Sequence, residues 1–221
     1  MLKIYQVFIG CPFAKEIRKI YDRLKKEIEA ETPLSVVLAD TVGVSSSDYL
    51  LEHITELIRD SAGCIFDATG ANPNVSLEVG IAHTIPTNFV LTLRTRKVRS
   101  SQTTGQTSAE VRSIISDLQG KNRIEYKTYR PLRQKVEERF LAHLPYMTRW
   151  RSFRNDHKSM APFVLKFFID IRSSRRSTRA RLEAILEGSG FNVADVTNAM
   201  RAAKIVSVRR GRNGGYFYPA K

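Results

Sequence analysis

The sequence predicts an α/β protein, with a parallel sheet covered by helices on both faces and a small, strongly basic C-terminal domain. Three observations lead there. Over the first 145 residues, five short β-branched or aromatic runs alternate with five amphipathic segments. Such alternation builds a parallel sheet, because each crossover helix carries the chain back to start the next strand in the same direction. Charge is divided unevenly: residues 1–93 hold 8 Lys/Arg against 12 Asp/Glu, residues 94–145 hold 12 against 5, and residues 146–221 hold 16 against 5. Residues 161–221 read helix, helix, turn, helix, hairpin.

Taken in order, Lys3–Ile9 predicts a strand through Ile4, Val7, Phe8 and Ile9. Ala14–Ala30 predicts a helix, its apolar Ile17, Ile20, Tyr21, Leu24 and Ile28 recurring at three and four. Leu34–Ala39 predicts a short strand ending at Asp40, and Asp48–Arg59 a helix with Leu51, Ile54, Leu57 and Ile58 on one side. Gly63–Asp67 predicts a strand. Pro73–Thr84 predicts a helix that Asn72 caps and Pro73 starts, since proline's fixed φ and missing N–H suit the first turn. Asn88–Leu93 predicts a strand, Thr107–Leu118 a helix, Arg123–Lys127 a strand and Pro131–His143 a helix. The long polar stretch Arg94–Gln106 between them reads as a loop. The expected strand order is flavodoxin-like, 2-1-3-4-5.

Residues 146–160 are polar and basic and read as a linker between a 1–145 domain and a 161–221 domain. In the latter, Ala161–Ile171 predicts an apolar helix. Ser177–Leu186 predicts a second helix capped by Ser177 or Thr178, and Val193–Lys204 a third capped by Asn192. Ile205–Arg209 and Gly215–Tyr218 predict a hairpin across Gly-Arg-Asn-Gly. This is the pattern of a winged helix-turn-helix.

Composition narrows the function classes. Two cysteines, Cys11 and Cys64, exclude a disulfide scaffold and argue against a cysteine zinc site, and no metal is expected. No apolar run reaches the roughly 18 residues of a membrane span, and the N-terminus starts as a strand without a signal-peptide pattern. A cytoplasmic protein is therefore expected. P-loop, GxGxxG, HExxH and Ser-His-Asp patterns are missing from the sequence.

The segment Asp67–His83 carries the main chemical signal. A strand tip, a Thr/Gly/Asn/Pro loop and a helix start converge there, and the helix holds one carboxylate, Glu78. Asn74, Glu78 and Ala82 are spaced by four on one face, and Gly80 reads as a point of close helix approach. In a 2-1-3 order the Gly10-Cys11-Pro12-Phe13 turn lies beside this loop. Phe13 reads either as core or as a ring that stacks on a base. Thr69, Gly70 and their neighbours leave backbone N–H groups for a phosphate or ribose oxygen.

Val7-Phe-Ile-Gly-Cys-Pro-Phe13 and Ile65-Phe-Asp-x-Thr-Gly-x-Asn-Pro-Asn-Val-x-x-Glu-x-Gly-x-Ala82 resemble the nucleoside 2-deoxyribosyltransferase-like superfamily, and within it the TIR-like nucleotide-binding proteins of bacteria. The resemblance implies cleavage of N-glycosidic bonds in NAD or (deoxy)nucleotides. NAD or a nucleotide would be substrate or ligand, not a resident cofactor. It implies that Glu78 is the catalytic glutamate, stabilising an oxocarbenium-like sugar, and that Asp67 and Asn74 orient ribose hydroxyls or that carboxylate. Ser76-Leu77 departs from the pattern, where an aromatic often precedes the glutamate. An antiviral defence role and homo-oligomeric assembly are compatible with the resemblance. The competing reading is a non-catalytic, nucleotide-sensing regulator that binds DNA.

The basic C-terminal domain points to a polyanionic partner, nucleic acid before others. Arg175, Arg176 and Arg179 near the second helix, Arg201 and Lys204 on the third, and Arg209, Arg210 and Arg212 on the wing are the candidate contacts.

Overall fold

Strand β1 (Lys3–Gly10) alternates its side chains over its last four residues. Val7 and Ile9 point to one side of the sheet, Phe8 and Gly10 to the other, and all four are buried. The computed structural model describes residues 3–39, 47–70, 72–95, 123–174, 176–211 and 214–220. Strands β2 (Ser35–Leu38), β3 (Ser61–Asp67), β4 (Phe89–Arg94) and β5 (Arg123–Tyr126) join β1 in a five-stranded parallel sheet of order β2-β1-β3-β4-β5. This is the order expected from the alternation of periods. Gly10 pairs with Phe66 and Asp67 with Thr92, so the ends of β1, β3 and β4 lie side by side at the carboxyl edge.

Helices α1 (Lys15–Glu31) and α4 (Tyr129–Arg139) cover one face. Ile17, Tyr21, Leu24 and Ile28 of α1 are buried with Val7, Ile9, Ile65 and Val90 of the sheet and Leu132 and Val136 of α4. Helices α2 (Ser47–Asp60) and α3 (Pro73–Thr84) cover the other, where Leu57, Ile58, Val75, Val79 and Ala82 pack on Phe8, Cys64, Phe66 and Leu91. Asp40 and residues 41–46, most of the loop expected over 94–106 and the helix expected at 107–118 lie outside the described residues.

Residues 146–160 do not form a linker strand of chain. Most of them belong to helix α5 (Pro145–Asp156), which buries Tyr146, Met147, Trp150 and Phe153. Those four positions recur at helical spacing, and the cationic Arg149, Arg151 and Arg154 that made the segment look polar interleave with them. The chain continues through α6 (Ala161–Ser174), β6 (Ser177–Thr178), α7 (Arg179–Leu186), α8 (Val193–Ala202), β7 (Val206–Gly211) and β8 (Gly214–Pro219). Ser177 and Thr178 form a strand instead of the first turn of a helix; Thr178 Oγ1 then caps α7 by accepting from Arg181 N, and Asn192 Oδ1 caps α8 by accepting from Ala194 N. The three strands pair antiparallel in the order β6-β8-β7.

One apolar cluster runs from Val7 of β1 through α5 and α6 to Phe217 and Ala220. No helix among the described residues is long and apolar enough to cross a membrane.

Candidate active site

The path from strand to helix at the carboxyl edge is fixed by its own polar side chains. Asp67, the last residue of β3, is fully buried, and its Oδ1 accepts from Thr69 N at 2.7 Å. Thr69 Oγ1 accepts in turn from Arg94 N at 2.9 Å, which ties the loop to the end of β4. Gly70 takes φ +76°, a left-handed conformation that glycine adopts without strain, and has open space where a side chain would stand. Asn72 Oδ1 accepts from Asn74 N and Val75 N, capping α3 at two of its unpaired donors, with Pro73 in the first turn.

Helix α3 buries Val75, Glu78, Val79 and Ala82, so Glu78 stands within an otherwise apolar stripe. It is 6% exposed. Its Oε2 has no hydrogen-bond partner among the described residues. The carboxylate lies against the last residue of β1: a Cβ on Gly10 would sit 1.9 Å from Glu78 Oε2 and 2.8 Å from the Phe66 ring. Any side chain at position 10 would displace the carboxylate and crowd the Phe66 ring, so space and not backbone conformation favours glycine there. Removal from water disfavours the ionised form and pushes the Glu78 carboxyl up to about 7. Burial, with a smaller push from the Glu78 charge, raises the Cys64 thiol well above its ordinary value, so Cys64 is an inert core thiol.

A buried carboxyl that titrates near neutrality and has an unpaired oxygen can do two things. It can exchange a proton with a ligand at physiological pH, or it can ionise to face a cation or a hydroxyl donor that enters beside it. Either outcome relieves the cost of an unsatisfied buried oxygen.

Asp67 is differently placed from Glu78. Its Oδ2 accepts from Tyr126 Oη at 2.9 Å, so each of its oxygens is engaged inside the protein. Tyr21 also lies against this carboxylate, its hydroxyl 2.5 Å from Thr92 Oγ1, which donates to Phe66 O. Burial first, then the Asp67 charge, holds both tyrosine hydroxyls far above their ordinary range. Sequence reasoning missed Tyr21, Thr92 and Tyr126, because they reach Asp67 from three separate elements and no local spacing announces them.

The remaining expected site residues divide by exposure. Gly10, Cys11 and Pro12 are buried, whereas Phe13 is 59% exposed, so the reading of Phe13 as a core residue is corrected. Asn74 is exposed at the start of α3, and His83 is exposed in its last turn. Gly80 is exposed with nothing near its would-be Cβ; the close helix approach expected there is found at Gly10 instead.

In the C-terminal part, Arg179 pairs with Glu183 at 3.0 Å, and Arg181 with Asp170 at 2.9 Å. Arg201 and Lys204 are exposed, Lys204 at a left-handed φ of 53° where α8 gives way to β7. Arg176 precedes β6, and Arg209 and Arg210 lie on β7. Arg175 and Arg212 lie outside the described residues. Compared with known proteins, the chain matches no family model and no curated sequence.

Proposed function

We propose that this protein cleaves the N-glycosidic bond of NAD or a (deoxy)nucleotide, as its resemblance to the TIR-like and nucleoside 2-deoxyribosyltransferase-like superfamily implies, with Glu78 as the catalytic residue. The observation that carries the reading is the buried Glu78 carboxyl, held at the junction of β1 and α3, whose Oε2 has no hydrogen-bond partner among the described residues. In this reading the C1′–N bond breaks with its electron pair leaving on the base. Positive charge then develops on C1′ and the ring oxygen, and ionised Glu78 stabilises it or bonds to C1′. Water or an acceptor takes the sugar in the second step. The exposed Phe13 ring suits stacking on the base. Asp67, bonded to Thr69 N and Tyr126, serves as a positioning residue for the loop.

The test is incubation of the full chain with NAD and a panel of nucleotides, with and without DNA, followed by chromatography of released base. Base release that rises with pH through about 7 and falls at least about a hundredfold in Glu78→Gln is expected. Ligand binding without base release under every condition would overturn it.

The second reading is a nucleotide sensor that acts on nucleic acid through the C-terminal part. It is favoured by a specific joint: Arg172 of α6 donates to Thr32 O at 2.8 Å, to Leu34 O at 2.7 Å and to Glu29 O, gripping the end of α1 and the start of β2. The order α6-β6-α7-α8-β7-β8, with sheet order β6-β8-β7, supports the winged helix-turn-helix reading of this part. The same joint would let that part gate the enzyme as a regulated defence effector.

A further inference from the structure

The outer face of the three-stranded sheet combines aromatic rings and guanidinium groups in register. Along β8, Phe217 turns inward and meets the Phe167 ring edge-on at 5.2 Å, so Tyr216 and Tyr218 both turn outward. Tyr216 pairs with Thr178 on one side and Arg209 on the other, and Tyr218 pairs with Ser207, so these residues share the outer face. The Arg176 guanidinium lies over the Tyr216 ring at 4.4 Å, and that of Arg209 over the Tyr218 ring at 5.3 Å. From Val196 to the C-terminus the sequence holds six Lys/Arg and no Asp or Glu. The face is therefore cationic, aromatic and free of carboxylates from its two long strands.

We propose that this face binds single-stranded nucleic acid, bases stacking on the Arg–Tyr pairs while the guanidinium N–H groups meet phosphates. This rests on the nucleic-acid reading of the C-terminal part and specifies the surface and the strand form. Base faces in a duplex are already stacked on one another, so a flat ring or guanidinium platform finds only phosphates there. A single strand offers both phosphates and open base faces, and stacking on them is tolerant of sequence. The alternative duplex reader, α8, is poorer in chemistry: its exposed Asn198 and Arg201 are accompanied by Asp195, which repels phosphate.

The experiment is fluorescence anisotropy with the full chain, using labelled oligothymidylate, oligouridylate and a DNA duplex of equal length across a KCl series. Both single strands, or one of them, bind more tightly than the duplex. Tyr218→Leu, which keeps apolar bulk but removes the ring, weakens single-strand binding roughly tenfold and leaves duplex binding unchanged. Arg209→Ala lowers the salt slope by about 0.7. A preference for duplex, or indifference to Tyr218→Leu in a folded variant, overturns the platform and leaves the nucleic-acid reading standing. No binding to any oligonucleotide, or equal displacement by polyglutamate, overturns both. If Tyr218→Leu fails to fold, Tyr216→Leu and the strand preference of the unaltered chain decide the matter.

Discussion

Glu78 ties stability to chemistry at the scale of one residue. Its carboxyl titrates at about 7 in the folded protein, against about 4.5 ordinarily, because burial disfavours the charge. Between those two values the folded chain holds a proton that the unfolded chain has released. Stability therefore falls as pH rises from about 4.5 to about 7 and is flat above, a loss of about 3 kcal/mol from this group. Glu78→Gln removes the titration. The variant is expected to match the parent near pH 4 and to exceed its stability at pH 8 by roughly that amount, measured by urea denaturation at the two pH values. Equal stability of the two proteins at pH 8 would show that the buried charge carries no such cost. Position 78 was legible in the sequence as the one carboxylate on its helix. Its unpaired oxygen was not, because only the packing of α3 on β1 brings Gly10 and Phe66 against it.

At the scale of an element, the turn between β3 and α3 is held from two directions. Asn72 and Pro73 specify the helix start locally, which is why that boundary could be read from residue types alone. Asp67 holds the strand end through Tyr126, 59 residues further along the chain, and no local pattern could announce that partner. Tyr126→Phe removes the hydroxyl and leaves Asp67 Oδ2 short of a donor in a fully buried place. A loss of about 2 kcal/mol is expected on denaturation, together with faster amide exchange at Thr69. Unchanged exchange at Thr69 would sever the link between this pair and the loop. Helix α5 shows the opposite failure of reading. Its arginines masked an aromatic stripe of ordinary helical period, and Tyr146 and Trp150 become intelligible only when α6 and β1 supply their neighbours.

Across the whole molecule, the basic part and the sheet share their interior. The Tyr146 ring lies tilted against that of Tyr5 of β1, centroids 6.2 Å apart, and its hydroxyl donates to Ile205 O beside β7. Arg172, partly buried and with its guanidinium pushed below its ordinary value by desolvation, reaches three carbonyls at the end of α1 and the start of β2. Arg172→Met keeps the length of the side chain and loses every one of those donors. It is expected to cost about 2 kcal/mol and to split a single thermal transition into two, as seen by calorimetry; one unbroken transition would show that the apolar contacts alone join the parts. The sequence by itself determined the parallel α/β class, the strand order, the caps of α3 and α8, and the separation of charge, because periodicity, capping and composition act over a few neighbouring residues. The tertiary structure alone decided that α5 is a shared buttress, that Asp67 is spent on Thr69 N and the Tyr126 hydroxyl, and that Gly10 makes room for a carboxylate whose Oε2 has no hydrogen-bond partner among the described residues. Those outcomes depend on contacts between residues far apart in the chain, and burial is a property of the assembled core.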